Sequence, residues 1–581
     1  MLLAGALAPP SVHAQRVKKY TFFQGTQYPL TAWFIEGDEP GPTIMVQGGI
    51  QGDEKSGFIT AQLLSKARVR KGRLILVPRA NVPSINICQR QVNVDLNRRF
   101  DKEYNQFYED RLALAIRSLV SQAAAFIHLH EGSGFYHPTY VDNLRNPRRY
   151  GQSIIIDTTV FDHRIHLAEA ATKVLAELNP TVVPAQYRFQ LFNTRTFESN
   201  TLYPEMRKSL TCYVLENVGI PAMAVEVSKN IQQLGWKVQR QLAATALLLA
   251  RFGVDISPPE VTEQEVDHYT RRAPRIELNG RALSNGQTIE LAPNSILALQ
   301  SSVSDNAFAP SLAVYASDRP DFNLLTAPRM ALTPFNSLEV RSDGSTVSRA
   351  RVRWKGSWSK LPGSGAMFAC WLNGQLRLVP AGRTLDAVEG DQFVLEGVLG
   401  GAPDEILNFK GYVSQPYSND GQDLGMEIIL DPDNFIRRYL EPGKIKDEWI
   451  CRVARETKGA APADFNIRVS PRTVKALRFE GPDGRDLLLP FTNGDVQKLA
   501  PGTWRITDAW SNGSADKLSL TLNKEPLRFG EPFTLSEGGS LELGLQQSTT
   551  FHPLGKIRLT CGSPQGDAKP PRASLSPAHA S

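Results

Sequence analysis

The sequence predicts an α/β domain, with a mixed sheet and helices on both faces, followed by all-β modules of barrel or immunoglobulin-like type. Three observations predict it. Strand-like and helix-like runs alternate through the first 255 residues. Helical periodicity nearly vanishes after about Tyr269. From there, short alternating runs recur between Asn-Gly, Asp-Gly, Pro-Gly and Gly-Gly turns.

The strand-like runs are 43–47, 73–77, 125–130, 153–156 and 221–227. Between them lie helical patterns at 53–66, 109–122, 162–178, 208–217 and 229–252, the last stopped by Gly253, a suitable C-cap. Asp53 stands where the first of these helices needs an N-cap. A Pro-rich acidic linker, "ISPPEVTEQE", then separates residues 15–256 from the β-rich part. There, "RIELNGRAL", "LEVRSDGSTV" and "ACWLNGQLRLV" read as strand-turn-strand units. A polar break, "RETKGAAPAD" at 455–464, suggests a boundary. The expected modules are a barrel-like domain at 268–355, an immunoglobulin-like domain at 356–455, a further β domain at 465–561 and a disordered tail at 562–581.

Composition narrows the function classes. The 581 residues carry a net charge of +6, with no dense Lys/Arg stripe, which speaks against nucleic-acid binding. No later stretch approaches the roughly 18 consecutive apolar residues of a membrane span. The leader "MLLAGALAPPSVHAQ" has a short apolar stretch and a small-x-small pattern ending at Ala14, so residues 1–14 read as an export signal. The expected destination is the periplasm. Five scattered cysteines do not form a disulfide framework, although Cys370 and Cys451 fall in one module and could pair in an oxidising compartment.

The chemistry concentrates in four short stretches. "GGIQGDEKSG" at 48–57 is a glycine-punctuated turn from a buried strand into a helix, a position where sheet proteins mount polar side chains. Gln51 and Glu54, three apart, can face one point there. The others are Asp95-Leu96-Asn97-Arg98, Leu129-His130-Glu131-Gly132 and Val225-Glu226-Val227. Glu226 emerges from the apolar run "PAMAV", a costly place for a carboxylate unless it is paired or functional.

In order and spacing these stretches resemble the zinc carboxypeptidase family, over roughly residues 35–255. Gln51 departs from the usual His at the first ligand position. The Gln-x-x-Glu…His set resembles the peptidoglycan carboxypeptidases that control helical cell shape, which also carry β modules behind the catalytic domain. "HEGSGF", "RKSLTCYVL", "VEVSKN" and "NFKGYVSQPYSNDGQDLG" look similar too. The resemblance implies one zinc ion held by Gln51, Glu54 and His130. That is three protein ligands with a fourth position open, as catalytic zinc requires. An amide oxygen in place of an imidazole keeps the site's charge at about +1 while donating more weakly. His128, two residues before His130 on the same strand face, is the alternative ligand or a supporting partner.

The remaining roles follow from the same likeness. Glu226 matches the general base that activates water and then protonates the leaving amine. Asn97 and Arg98 match the clamp on a substrate's terminal carboxylate, a task suited to the bidentate guanidinium fork. Arg90, with Arg79 as the alternative, falls where the family places an oxyanion-stabilising arginine. Tyr203 matches a mobile tyrosine. Arg99 and His137 read as surface residues, and Glu131 and Glu216 receive no role.

The expected function is an exported zinc metallocarboxypeptidase that trims peptidoglycan stem peptides from tripeptide to dipeptide at the D-γ-glutamyl–meso-diaminopimelate bond. Muropeptides are the expected partners, and the β modules offer surfaces for proteins. The alternatives are a non-catalytic wall-binding scaffold with a degenerate domain, or an N-acyl amino acid deacylase.

Overall fold

A computed structural model of the chain describes residues 15–269, 275–302, 308–356, 358, 366–401, 405–413 and 421–562. The expected export signal, the tail from 563 onward and positions 414–420 of the similar stretch at 408–425 lie outside the described residues. The chain divides into two compact units: residues up to Pro471 together with Ser548–Phe551, and Arg472–Gln547 together with the residues from His552.

The first unit opens with the expected α/β domain. Its strands are β1 (Val17–Phe22), β2 (Leu30–Glu36), β3 (Glu39–Gln47), β4 (Arg68–Val77), β5 (Ala125–Gly132), the short β6 (Phe135–Tyr136) and β7 (Arg145–Asn146), β8 (Ser153–Ile156), β9 (Gln190–Asn193), β10 (Ala222–Ser228) and β11 (Asp255–Ser257). All but β6 and β7 join one nine-stranded sheet, ordered β1-β2-β4-β3-β5-β10-β8-β9, with β11 on β4. The centre is parallel, β4-β3-β5-β10. Such strands are covered on both faces, which is why Ile44, Met45, Val46, Phe126 and Ile127 read as unbroken apolar runs and are fully buried.

The covering helices are α1 (Lys55–Leu64), α2 (Val82–Asn86), α3 (Tyr108–Val120), α4 (Leu167–Leu178), α5 (Leu210–Tyr213) and α6 (Leu234–Arg251). Helix α1 lies close on β5: a Cβ at Gly57 would stand 2.7 Å from the Leu129 carbonyl oxygen. This contact fixes where the turn at 48–54 ends. Gly253, at φ +88°, follows α6 as expected.

Several expectations needed correction. Asp53 does not cap α1: Glu54 occupies the N-cap position without a side-chain cap bond, and Asp53 instead pairs with Lys229 at 2.6 Å. The helix expected from 162 begins at Leu167, because Asp162 and His163 take left-handed backbone angles of +48° and +57°. The helix expected over 208–217 is only the four-residue α5, continued by a wider π turn at Val214–Val218. Strands β1, β2, β9 and β11 were not foreseen; β1 and β2 pair as an antiparallel hairpin at the sheet edge.

The β-rich remainder of the first unit holds two modules. Residues Arg275–Trp354 form sheets of three, four and two strands. Residues Met367–Ser470 form a four-stranded and a five-stranded sheet around one core. The boundary expected at 455–464 falls inside a hairpin, since Trp449–Arg455 pairs antiparallel with Ala463–Ser470. The polar stretch is the turn of that hairpin. Cys370 and Cys451 are free thiols, each turned to a backbone carbonyl oxygen at 3.7 Å, that of Arg377 and of Ile467 respectively. The second unit has its own apolar core between a four-stranded and a five-stranded sheet.

Candidate active site

The carboxyl ends of β3, β5 and β10 open on one cavity of about 310 Å³. Its lining includes Gln51, Glu54, Arg90, Asn97, Arg98, His128, His130, Tyr203 and Glu226, so the structure brings every sequence-assigned site residue to one place. Glu226 on β10 stands directly across from His130 on β5, because the two parallel strands pair in that register. The turn after β3 supplies Gln51 and Glu54.

Glu54 Oε2 lies 2.8 Å from His130 Nδ1 and accepts from the Glu131 backbone N–H at 3.1 Å. Gln51 turns its amide nitrogen to Asp95, 3.3 and 3.4 Å from the two carboxylate oxygens. Its Oε1 is therefore the end left to act as a donor atom. An amide oxygen, a carboxylate and an imidazole nitrogen converging in one cavity form a donor set that fits a divalent metal.

Behind His130 runs a chain of side chains. His130 Nε2 is 3.0 Å from His128 Nδ1, and His128 Nε2 is 3.4 Å from the Gln47 amide. Burial, followed by the neighbouring His130, pushes His128 well below the usual imidazole range, so it is neutral. With the Gln47 amide N–H on its Nε2, a neutral His128 donates from Nδ1 to His130 Nε2, and His130 Nδ1–H donates to Glu54. The Gln47 Oε1 has no partner among the described residues, so turning that amide over would give it a His128 Nε2–H to accept, reverse the chain and leave the His130 Nδ1 lone pair for a metal.

Glu226 is half-buried by surface but enclosed by protein. Burial pushes its carboxyl up to about 7; Glu54 adds to the rise, while His130, Lys229 and Arg90 oppose it. Gly132 makes room for this side chain, since a Cβ there would lie 2.1 Å from Glu226 Oε2.

The arginines separate by their partners. Arg98 donates to the Asn97 carbonyl at 2.9 Å and lies 3.7 Å from Met206 Sδ; among the described residues it makes no ion pair. Burial lowers its pKa, with Asp95 opposing. Arg90 is held by Asp95 at 2.7 Å. Asn97 Oδ1 accepts from the Leu210 backbone N–H at 3.0 Å, which ties the clamp to α5. Arg79, the alternative to Arg90, is engaged elsewhere, gripping Asp343 of the first β module at 2.8 and 2.7 Å. Arg99 is no loose surface residue, because it pairs with Asp110 at 2.6 Å. His137 is half-buried and its Nδ1 lies 2.8 Å from the Thr139 carbonyl oxygen. Tyr203 meets Phe192 edge-on at 5.3 Å, and Phe192 stacks on Tyr150 at 4.3 Å, an aromatic wall beside the cavity.

Sequence reasoning missed two contributors. Asp95 orients both Gln51 and Arg90; burial pushes its carboxyl up, but Arg90 and Arg98 outweigh that and hold it below the usual range. Its place two residues before Asn97 was the available signal. Lys229 reaches Asp53 at 2.6 Å and Glu54 Oε1 at 3.7 Å. Of the unassigned carboxylates, Glu131 lines the cavity, yet its oxygens are taken by Lys237 at 2.7 Å and the Ser56 backbone N–H at 2.7 Å. Glu216 is not part of the cavity lining.

Residues 28–268 match the Peptidase_M99 family model, described as a carboxypeptidase controlling helical cell shape, catalytic. Solved structures similar to this chain include the tripeptide-bound cell shape determinant Csd4 protein from Helicobacter pylori, at 20% identity and TM-score 0.44, covering 79% of this chain and all of that one. Another is the mDAP-bound form of Helicobacter pylori Csd4, a D,L-carboxypeptidase, at 21% identity and TM-score 0.44, covering 74% and 96%. A succinylglutamate desuccinylase/aspartoacylase from Rhodobacter sphaeroides is more distant, at 18% identity and TM-score 0.29, covering 44% and 70%. No curated protein matches the chain.

Proposed function

We propose, because residues 28–268 match the Peptidase_M99 family model of a carboxypeptidase controlling helical cell shape, that the protein is an exported zinc D,L-carboxypeptidase of the bacterial cell wall. Its substrate would be the uncrosslinked stem tripeptide, cut at the D-γ-glutamyl–meso-diaminopimelate bond to leave a dipeptide. The family's description, control of helical cell shape, supports a wall substrate. The leader-like residues 1–14 support export.

One observation carries the reaction class. A single cavity holds a metal-donor set, a carboxylate that burial poises near neutrality, and a part-buried guanidinium without an ion pair among the described residues. A part-buried cation without a counter-ion is costly unless an anionic ligand completes it. A substrate's free carboxylate would do so.

Gln51, Glu54 and His130 would hold the metal, and the position of His128 behind His130 favours Gln51 as the third ligand. When bound, a zinc ion supplies a Lewis acid and brings the pKa of water toward neutrality. Arg98 and Asn97 fix the terminal carboxylate, which sets the cut one residue from the end. Glu226 takes a proton from the attacking water and returns it to the leaving amine; a pKa near the operating pH suits both transfers. Arg90, held by Asp95, faces the charge that develops on the carbonyl oxygen. Tyr203 and Phe192 form an aromatic side of the cavity.

Mass spectrometry of muropeptides digested with metal-analysed protein tests this reading. The expected products are the dipeptide muropeptide and free diaminopimelate, at a zinc content of one per chain. Tripeptide left intact by zinc-loaded protein would overturn it.

A further inference from the structure

The first turn of α3 carries three consecutive charged residues, Glu109, Asp110 and Arg111, which are 0%, 1% and 6% exposed. Charged side chains are almost never so buried unless each is paired. The reaction just described uses none of them. Successive residues of a helix point about 100° apart, so the three reach different neighbours.

Glu109 faces the start of the segment that carries the carboxylate clamp. Its Oε1 accepts from the backbone N–H groups of Asn93 at 2.9 Å and Val94 at 3.3 Å, and its Oε2 from the Asn93 side-chain amide at 3.1 Å. Asp110 faces the end of the segment: Oδ1 pairs with Arg99 Nε at 2.6 Å, while Oδ2 accepts from the Gln106 and Phe107 N–H groups, both at 2.9 Å. Between these two grips lie Asp95, Asn97 and Arg98. Arg98 makes no ion pair among the described residues, so the backbone that carries it sets where its guanidinium stands.

Arg111 points the third way, to the second β module, Met367–Ser470. Its Nη2 donates to Asn434 Oδ1 at 2.9 Å and lies 3.8 Å from Asp431 Oδ2, while Nη1 meets the Tyr28 hydroxyl at 3.3 Å. Just before the helix, Asn105 Nδ2 donates to Asp433 Oδ2 at 2.7 Å. The module's turn at 431–434 therefore holds the same helical turn that grips the clamp segment.

We infer that Glu109 is a positioning residue for Arg98, and that the second β module, through Arg111, fixes the helical turn from which Glu109 acts. The module is then part of the catalytic apparatus. This rests on the proposed carboxypeptidase reading and adds what aims its clamp. Misplacing a substrate-positioning group by about 1 Å costs about 10²-fold in rate, so bonds made at Asn93 and Val94 register at Arg98. Glu109→Gln tests the grip at constant size. Asn93 and Val94 offer Glu109 only donors, and an amide can accept through one end alone, so at least one bond is lost.

The experiment compares two substrates at saturating zinc, the stem tripeptide and the same peptide with its terminal carboxylate amidated. Mis-aiming Arg98 harms the peptide that has a carboxylate to grip. Glu109→Gln should lower the ratio of kcat/KM on tripeptide to that on amide by about 10–100-fold, with the amide rate falling far less. Asn434→Ala, outside the cavity lining, should lower the same ratio by about 2–30-fold, the range for changes along a coupled path. A merely structural role would lower Tm and both rates alike and leave the ratio at its wild-type value. That result in Glu109→Gln would overturn the inference. An unchanged ratio in Asn434→Ala would overturn the module's part, and the whole inference should Glu109→Gln fail to fold. Failure of the underlying reading looks different, because wild-type protein would then leave the tripeptide intact or cleave tripeptide and amide equally.

Discussion

Gln51 and Asp95 are joined through the amide nitrogen of Gln51, which lies 3.3 and 3.4 Å from the two carboxylate oxygens. This contact decides which end of a symmetric-looking amide meets the cavity. Gln51→Ala should therefore lose most bound zinc while His128→Ala keeps it, and Gln51→His should still bind. Asp95→Ala should weaken zinc affinity by about 10–100-fold, the usual effect of removing a partner behind a ligand. Metal content after dialysis against a graded chelator measures all four. Zinc loss in His128→Ala with retention in Gln51→Ala would transfer the ligand role.

Glu226→Gln should retain zinc and fold yet lose turnover by about 10²–10⁴-fold, because the base acts on water and does not hold the metal. Single-turnover assays on the tripeptide, with metal analysis of the same samples, check this.

The metal-free protein should show the cost of that carboxylate. Glu226 has a folded pKa of about 7 against an ordinary 4.5, so the fold favours its protonated form. The associated stability is fully present below about pH 4.5 and is lost as pH rises through about 7. In chelated protein, Glu226→Gln should therefore raise Tm relative to wild type at about pH 8, and the gap should close toward about pH 4.5. Thermal scans across that range would refute it if the two proteins ran parallel.

Arg98 should set the exopeptidase cut. Charge-assisted bonds contribute roughly 1.5–3 kcal/mol each, so Arg98→Ala should lose several hundredfold in kcat/KM. Amidating the substrate's terminal carboxylate should cost wild type a similar factor and cost Arg98→Ala little more, since both changes remove one contact. Fully additive losses would mean that Arg98 never touches the carboxylate.

Arg79 should behave quite differently. Its buried pair with Asp343 joins the catalytic domain to the first β module, with side-chain exposures of 8% and 0%. Arg79→Ala should destabilise the protein by about 3–5 kcal/mol and leave kcat/KM of the folded fraction unchanged. Denaturant titration alongside kinetics separates the two effects.

What the sequence determined by itself is local in origin. The apolar runs of β3, β5 and β10 were legible because strands covered on both faces need unbroken hydrophobicity, and the chemistry-bearing residues lie at their ends. The spacing of Gln51 and Glu54, and the single His130, were legible for the same reason. Edge strand β1 was not, because half-exposed sequence carries little pattern. Only the tertiary structure decided between Arg79 and Arg90, since each is an arginine near a turn and their partners, Asp343 and Asp95, differ by folding alone. Asp53 reads as a helix cap, yet Lys229, 176 positions away, claims it. Hydrophobic periodicity is written residue by residue; the partner of a charge is settled only when distant segments share one cavity.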